Sequence, residues 1–422
     1  MKKALIGTTA LVAGGLIAGS AAAADLIPAP APEIVDDGFS YDWNGFIRSG
    51  FYFGDVDCTT AGGGVCFVAA NTPPGFDPDY NSTTVPLNGE LQIFAEQTLA
   101  NGLRVGGEID MNVIAGGYDL TLDEMWLFID GHYGQVRLGA KEGALDSLGS
   151  GALPSWGAFN GSMDGPDMVV VSGMIAGATG AVGGISGNGS HEDLSGDNNK
   201  IVYLTPTLGG VNLAVSFAPE AGPTTDTLPG GRFLAINGDD NTEWFNEWSF
   251  GANAKHTWGE TTLLIAGGFT TAEAGKNNVG TVGGGAGDVT IWKIAGSIKH
   301  SYGGVGAWYT HTEFDTDANT INNALTDSDR WGVQANVISG DYTFGGGYSN
   351  ITDSRHSPAA ALNTDAELEQ YGFGVSRKMA TGFEVGANAT IQDFEGSYDS
   401  NTATRGTNAD GWLAGVFAAI AF

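Results

Sequence analysis

Past its first two dozen residues, the sequence has no run of about eighteen apolar residues, so none of it is suited to cross a bilayer as a helix. Basic residues are scarce as well: Lys and Arg total 17 against 48 Asp and Glu. That balance repels polyanions such as nucleic acid and attracts cations. Charge of either sign makes up only 15% of the chain, little for a surface facing water on all sides. Two cysteines, Cys58 and Cys66, are too few for a disulfide-stapled scaffold. Glycine is abundant at 68 residues but follows no Gly-X-Y period, which excludes a collagen-like chain. The 10 Trp, 21 Phe and 12 Tyr exclude an acidic disordered one. The chain folds, and something other than a compact soluble core takes up its aromatics.

The N-terminus indicates export. Residues 1–24 carry Lys2 and Lys3, an apolar stretch, and small residues before Asp25, the pattern of a secretory signal peptide. Its removal takes away two bases, leaving 15 against 48 acids, a net charge of 15 − 48 = −33. In an oxidising exported compartment, Cys58 and Cys66 in CTTAGGGVC are expected to close a short disulfide loop. Residues 25–40 form a Pro-rich extended lead-in without periodicity. If the exported chain sits in a membrane, it must satisfy its backbone as a closed β-barrel.

From residue 41 onward, segments of alternating polarity recur. In 382–394, Phe383, Val385, Ala387, Ala389 and Ile391 alternate with Glu384, Gly386, Asn388, Thr390 and Gln392. A period of two with one greasy and one polar face describes a strand between two different solvents. Sixteen such segments can be counted: 43–54, 88–99, 103–114, 118–130, 134–141, 197–205, 209–218, 246–256, 260–271, 288–300, 304–314, 329–339, 341–350, 366–378, 382–393 and 410–422. Seven gaps between them are tight and rich in Gly, as hairpin turns require. The other gaps, except the brief one at 115–117, are long and polar, notably 55–87, 142–196, 351–365 and 394–409. An even number of strands with short turns at one end and long loops at the other predicts an all-β fold. It is a transmembrane 16-stranded antiparallel β-barrel, with an aqueous lumen at this size. Segment 118–130 is irregular, with apolar residues on both parities.

The ordered combination resembles a Gram-negative outer-membrane general porin, most like those of alphaproteobacteria. The resemblance rests on the closing strand 410–422 ending in Phe422, the sixteen segments, GQVRLGAKEGALDS at 134–147, and the long third loop 142–196. It covers essentially all of residues 40–422. It implies a homotrimer in the outer membrane, both chain ends on the periplasmic side, and passive diffusion of ions and small hydrophilic solutes. It also implies that the third loop folds into the pore to narrow it, that lipopolysaccharide surrounds the barrel, and that the barrel-insertion machinery reads Phe422. The chain departs from the enterobacterial pattern in lacking a Pro-Glu-Phe-Gly tetrapeptide in the third loop and a tight arginine cluster on the wall.

Parity turns Arg48, Arg104, Glu108, Arg137, Lys255 and Lys293 toward the lumen, with Arg48, Glu108, Arg137 and Lys293 nearer mid-barrel. Facing them, the third loop offers Glu142, Asp146, Asp164 and Asp167, then Glu192 and Asp193. The expectation is a transverse field across a water-filled constriction, with weak cation preference. Aromatics including Trp43, Phe51, Trp126, Trp248, Trp292, Trp331, Tyr342 and Trp412 are expected in the membrane-facing girdles. Acid pairs such as Asp77/Asp79, Asp239/Asp240, Asp315/Asp317 and Asp327/Asp329 are oxygen ligands of the kind Ca²⁺ takes, without an EF-hand pattern. No cofactor is otherwise expected. None of the six histidines sits in a G-x-S-x-G or H-E-x-x-H setting, so an enzyme is not expected. The alternatives are a substrate-specific outer-membrane channel and a secreted Gly/Asp-rich calcium-binding β protein.

Overall fold

The structure is a computed structural model that describes residues 38–60, 83–114, 120–149, 153–158, 194–221, 244–274, 288–315, 324–357, 362–399 and 404–422. Sixteen barrel strands follow one another: β1 (Ser40–Thr60), β2 (Leu87–Thr98), β3 (Arg104–Ile114), β4 (Leu120–Gly131), β5 (Gly134–Ala140), β6 (Asn199–Leu204), β7 (Val211–Ala221) and β8 (Trp244–Trp258). The second half comprises β9 (Thr261–Ala274), β10 (Val289–His300), β11 (Gly303–Phe314), β12 (Ala324–Ser339), β13 (Tyr342–Ser357), β14 (Leu362–Ala380), β15 (Phe383–Asp399) and β16 (Thr404–Ala421). One short helix, α1 (Ala144–Gly149), lies between β5 and β6. No helix among the described residues is long and apolar enough to cross a membrane.

Each strand pairs antiparallel with its chain neighbours. A two-residue segment, Thr83–Thr84, also pairs with Tyr52 and Phe53. It continues the β2 ladder beyond Pro86, which has no N–H to give and interrupts it. The ring closes where β1 pairs with β16, Phe46 opposite Ala421 through Thr60 opposite Thr407. Its lower part pairs instead with β2, from Ser40 opposite Glu96 to Ser49 opposite Leu87. This stagger, in which only the middle of β1 has partners on both sides, is how a closed, tilted barrel joins its ends. Gly45 and Phe422 exchange two backbone hydrogen bonds of 3.0 Å, so the last residue of the chain is part of the seam.

All seven tight turns hold a glycine at positive φ: Gly102, Gly134, Gly210, Gly259, Gly303, Gly340 and Gly382. That backbone region is open to glycine at little cost. Both described chain ends lie at this end of the barrel, Ser40 beside β2 and Phe422 beside Gly45.

Alternation sorts the side chains as a barrel between lipid and water requires. On β16, Trp412, Val416 and Ile420 are exposed outward, while Phe417 and Ala419 are buried inside. On β1, Ile47, Phe51 and Phe53 face out, whereas Tyr52 is buried with Phe417 and Leu413.

The structure corrects the sequence reading in three places. The gaps at 351–365 and 394–409 are mostly ladder: β13 and β14 pair up to Ser357 opposite Leu362, and β15 and β16 up to Asp399 opposite Thr404. The sequence of these extensions has no sustained apolar alternation, so backbone pairing persists where hydrophobic alternation has ended. The irregular segment 118–130 holds a β-bulge: Asp110 faces Glu124 and Met111 faces Leu122, leaving Asp123 as the extra residue. Parity flips there, so Leu122 on one side of the bulge and Met125, Leu127 and Ile129 on the other share the outer face. The same flip puts Trp126 in the lumen, buried, and not in a girdle.

The register of the seam is directly testable. Ser49 and Ala418 are opposite each other on the outer face. A Ser49→Cys, Ala418→Cys double variant, treated with a short bis-thiol reagent, is expected to cross-link into a closed loop that stays compact on a denaturing gel. The Ser49→Cys, Phe417→Cys pair, one residue out of register and on opposite faces, is expected not to.

Candidate functional site: the lumen and its inward loop

The third loop starts inside the barrel because β5 ends after seven residues at Ala140. It is fastened to the wall at each described step. The first backbone N–H groups of α1 have no partners within the helix. Two of them go to hydroxyls of the wall: Ala144 N–H donates to Ser216 Oγ and Leu145 N–H to Ser249 Oγ, each at 2.9 Å. Ala144, Leu145 and Leu148 are buried, and Ala144 presses on Gly251, where a Cβ would lie 2.0 Å from the Ala144 carbonyl oxygen.

The segment 153–158 then follows the opposite wall. Gln334 Nε2 donates to the Pro154 carbonyl at 2.9 Å, and Asn336 Nδ2 to that of Ser155 at 2.6 Å. Trp156, 1% exposed, fills a recess floored by Gly345 and Gly374, where a Cβ on either would approach it to 2.7 Å. Gly157 lies against the Phe417 ring, so loop three covers part of the inner apolar face of the closing strand. Ala158 N–H donates to Glu384 Oε1 at 2.9 Å and its carbonyl accepts from Arg48 at 3.1 Å. Anchored on β7 and β8 at one end and on β12 to β16 and β1 at the other, the loop lies across the lumen.

The predicted site residues separate accordingly. Arg48 faces the lumen, as parity indicated, and holds Ala158 and the Asn88 side chain, at 2.9 Å to the latter. Arg137 lies inside over the Trp126 ring, 4.9 Å from its centroid, with Nε donating to Gln135 at 2.5 Å. Lys293 is buried on the inner face of β10. Asp146 is half-buried in the first turn of α1. Arg104 sits close to the tight-turn end between Glu96 at 2.5 Å and Asp130 at 3.0 Å. Asp164, Asp167, Glu192, Asp193 and Cys66 lie outside the described residues, as do the leader, most of the lead-in, Asp77, Asp79, Asp239, Asp240 and Asp317. Of Cys58, only the backbone in β1 is described.

Glu108 belongs to a larger group. Along β2, β3, β4 and the root of loop three, carboxylates form three overlapping triads, with one oxygen of each member within 4.8 Å of the others. The triads are Glu90–Asp110–Asp123, Glu108–Asp110–Glu124 and Glu124–Glu142–Asp197. Lys141 neutralises one end, pairing with Glu124 and Glu142 at 2.6 Å each. Burial works to raise the Glu142 carboxyl, but the charge and hydrogen bonds of Lys141 outweigh it and hold the group below its usual range. Burial, followed by the charges of Asp123 and Glu142, pushes Asp197 up to about 6. This acid track is only partly legible in the sequence. Glu90 and Asp110 share the lumen parity of their strands, whereas the adjacent Asp123 and Glu124 face inward together only because of the bulge. Three consecutive glycines at 345–347 were a readable sign of close approach by another segment.

The comparisons agree with this architecture. A family model described as Gram-negative porin matches residues 7–397. No curated protein sequence matches the chain. An anion-selective porin from Comamonas acidovorans superposes with a TM-score of 0.55 at 14% identity, covering 91% of this chain and 100% of that one. The outer-membrane expressed OmpT of Vibrio cholerae gives 0.53 at 16% identity, covering 92% and 100%. The trimer form of in-vitro folded OmpT gives 0.51 at 16% identity, covering 90% and 100%.

The anchoring of loop three makes a prediction. Trp156→Ala removes about 3–5 kcal/mol of buried contact from its far end. Single-channel conductance is therefore expected to rise and to fluctuate, while the heat stability of the barrel itself changes little. An unaltered, quiet conductance would show that 153–158 does not narrow the pore.

Proposed function

The chain belongs to the Gram-negative porin family and is an outer-membrane channel, and we propose that its pore passes ions and small hydrophilic solutes passively with a weak preference for cations. The observation that carries the preference is the acid track: seven carboxylates line one side of the lumen, with Lys141 tied to two of them. Fixed negative charge at a narrowing raises the local concentration of cations and lowers that of anions. Arg48, by contrast, is engaged in holding loop three. No catalytic role is proposed; the lumen transports without chemistry.

We further propose that three copies assemble around the low wall. β5 has seven residues and β6 six, short of the nine to eleven or so that a tilted strand needs to cross a bilayer. Six residues rise about 20 Å along the strand, and tilt leaves less than the ~25 Å apolar band. The outer residues there, Val136, Leu138, Ile201 and Tyr203, are exposed and apolar or aromatic. Beside them is an open apolar depression of about 660 Å³, lined by Tyr41, Ile93, Met125, Leu127 and Leu138 and floored by Gly106 and Gly107. A second copy satisfies such a wall better than lipid does, and the neighbour described as a trimer has the same fold.

On the tall side, the aromatics Trp292, Tyr309, Trp331, Tyr348 and Tyr371 form a continuous outer belt. Directly above it are carboxylates, with Tyr309 donating to Asp329 and Tyr348 donating to Glu369. That order, rings then acids, supports contact with lipopolysaccharide headgroups through shared divalent cations. Insertion-machinery recognition of Phe422 rests on the resemblance and on the place of that residue in the seam.

Reversal potentials in a KCl gradient test the selectivity. Glu108→Gln together with Glu124→Gln is expected to shift the reversal potential toward zero. Lowering pH through about 6, where Asp197 becomes neutral, is expected to shift it the same way, since a carboxyl with a raised pKa loses its charge earliest on acidification. A reversal potential on the anion side in the unaltered protein would overturn the reading.

A further inference from the structure

We propose that the lumen wall holds a hard divalent cation of the Ca²⁺ class, bound by Glu90, Asp110 and Asp123 at the β-bulge of β4. Three observations converge on it. One carboxylate oxygen from each residue lies within 4.8 Å of the other two, on three different strands. Asp110 is 3% exposed, and its Oδ1 has no hydrogen-bond partner. A buried carboxylate oxygen without a donor is costly unless a cation meets it. The third ligand lies at an irregularity of the backbone. The bulge turns two consecutive residues, Asp123 and Glu124, to the inner side between the outward Leu122 and Met125, which brings the Asp123 carboxylate up to Asp110 and Glu90.

The neighbouring groups favour a metal ion over a protein counter-ion. Among the described residues, no Lys or Arg forms an ion pair with Glu90, Asp110 or Asp123, while Lys141 is held by Glu124 and Glu142. The Gln92 amide donates to Glu90 Oε1 at 2.6 Å and to Asp110 Oδ2 at 3.0 Å, which fixes both carboxylates and leaves Asp110 Oδ1 directed elsewhere. Glu108, within the same distance of Asp110, supplies a fourth carboxylate at the margin. Ca²⁺ takes six to eight oxygens in adaptable geometry, and lumen water completes a set of carboxylates that are partly bidentate. Oxygen-only donors without His or Cys disfavour the softer transition metals. Bound there, the cation neutralises part of the acid track and fastens β2, β3 and β4 together beneath the root of loop three. The site lies in the barrel wall, apart from the acid pairs of the external loops.

Terbium replaces calcium in oxygen sites and is sensitised by a nearby indole. Trp126 lies on β4 opposite Glu108 and two residues from Glu124. The folded full-length protein in detergent is titrated with Tb³⁺, then with CaCl₂ as competitor, exciting tryptophan. The expected result is saturable emission displaced by Ca²⁺, lost in Trp126→Phe, which keeps every ligand. Affinity is expected to fall at least tenfold in Asp110→Asn and in Asp123→Asn, both checked for the heat-resistant folded band. Asp239→Asn with Asp240→Asn is expected to retain wild-type affinity. Absence of saturable Ca²⁺-competed emission, emission that survives Trp126→Phe, or unchanged affinity in the folded Asp123→Asn variant would each overturn the site. Conductance steps that persist in any of these cases leave the channel itself standing.

Discussion

The backbone hydrogen bonds joining β1 to β16 are the contact on which the rest of the structure depends. In hydrocarbon no water is available to an unpaired N–H or C=O, so a sheet that enters a bilayer must have no edge. The seam removes the edge by pairing fifteen residues of β1 with β16, down to the last residues of the chain. Once the ring is closed, strand alternation has only one arrangement available: apolar side chains toward lipid, polar ones around a lumen. The composition follows from the same constraint. Aromatics are plentiful because the outside is greasy, glycine because tight turns and close inner packing need it, and charge is sparse because little of the surface faces bulk water.

A ring of sixteen strands is too wide to be filled by its own side chains. The chain fills part of that space with backbone from loop three, which carries polar groups needing partners of their own. Wall side chains meet them one by one: Ser216 and Ser249 at the start of α1, Gln334 and Asn336 at Pro154 and Ser155, Arg48 and Glu384 at Ala158. Lumen-facing polar residues therefore perform two tasks. Some hold loop three in place, and others, chiefly the carboxylates of β2 to β4, are the groups on which the proposed cation preference rests.

How much of this is legible in the sequence depends on which physical rule a residue obeys. The sixteen strands, the tight turns and the inward parity of Arg48, Arg137, Glu108 and Lys293 follow from period-two alternation between lipid and water. The ladders beyond residue 351 and around residue 400 were hidden because strands outside the membrane have water on both faces and lose the alternation. The girdle expected for Trp126 fails because of a single inserted residue at the bulge, which reverses every subsequent side chain in β4. The opposing partners of loop three lie far away in sequence, from 72 residues for Ser216 and Ala144 to 226 for Glu384 and Ala158. Only their glycine recesses leave a local mark.

The measurement that tests the central claim most directly is single-channel conductance of the purified protein in planar bilayers across a range of KCl concentrations. A closed, water-filled barrel narrowed by a fixed loop predicts discrete long-lived steps whose size scales in proportion to bulk conductivity, with closures in thirds of a full opening. Absence of discrete steps would contradict the pore, and conductance saturating at low salt would contradict a water-filled diffusion path in favour of a binding-limited one.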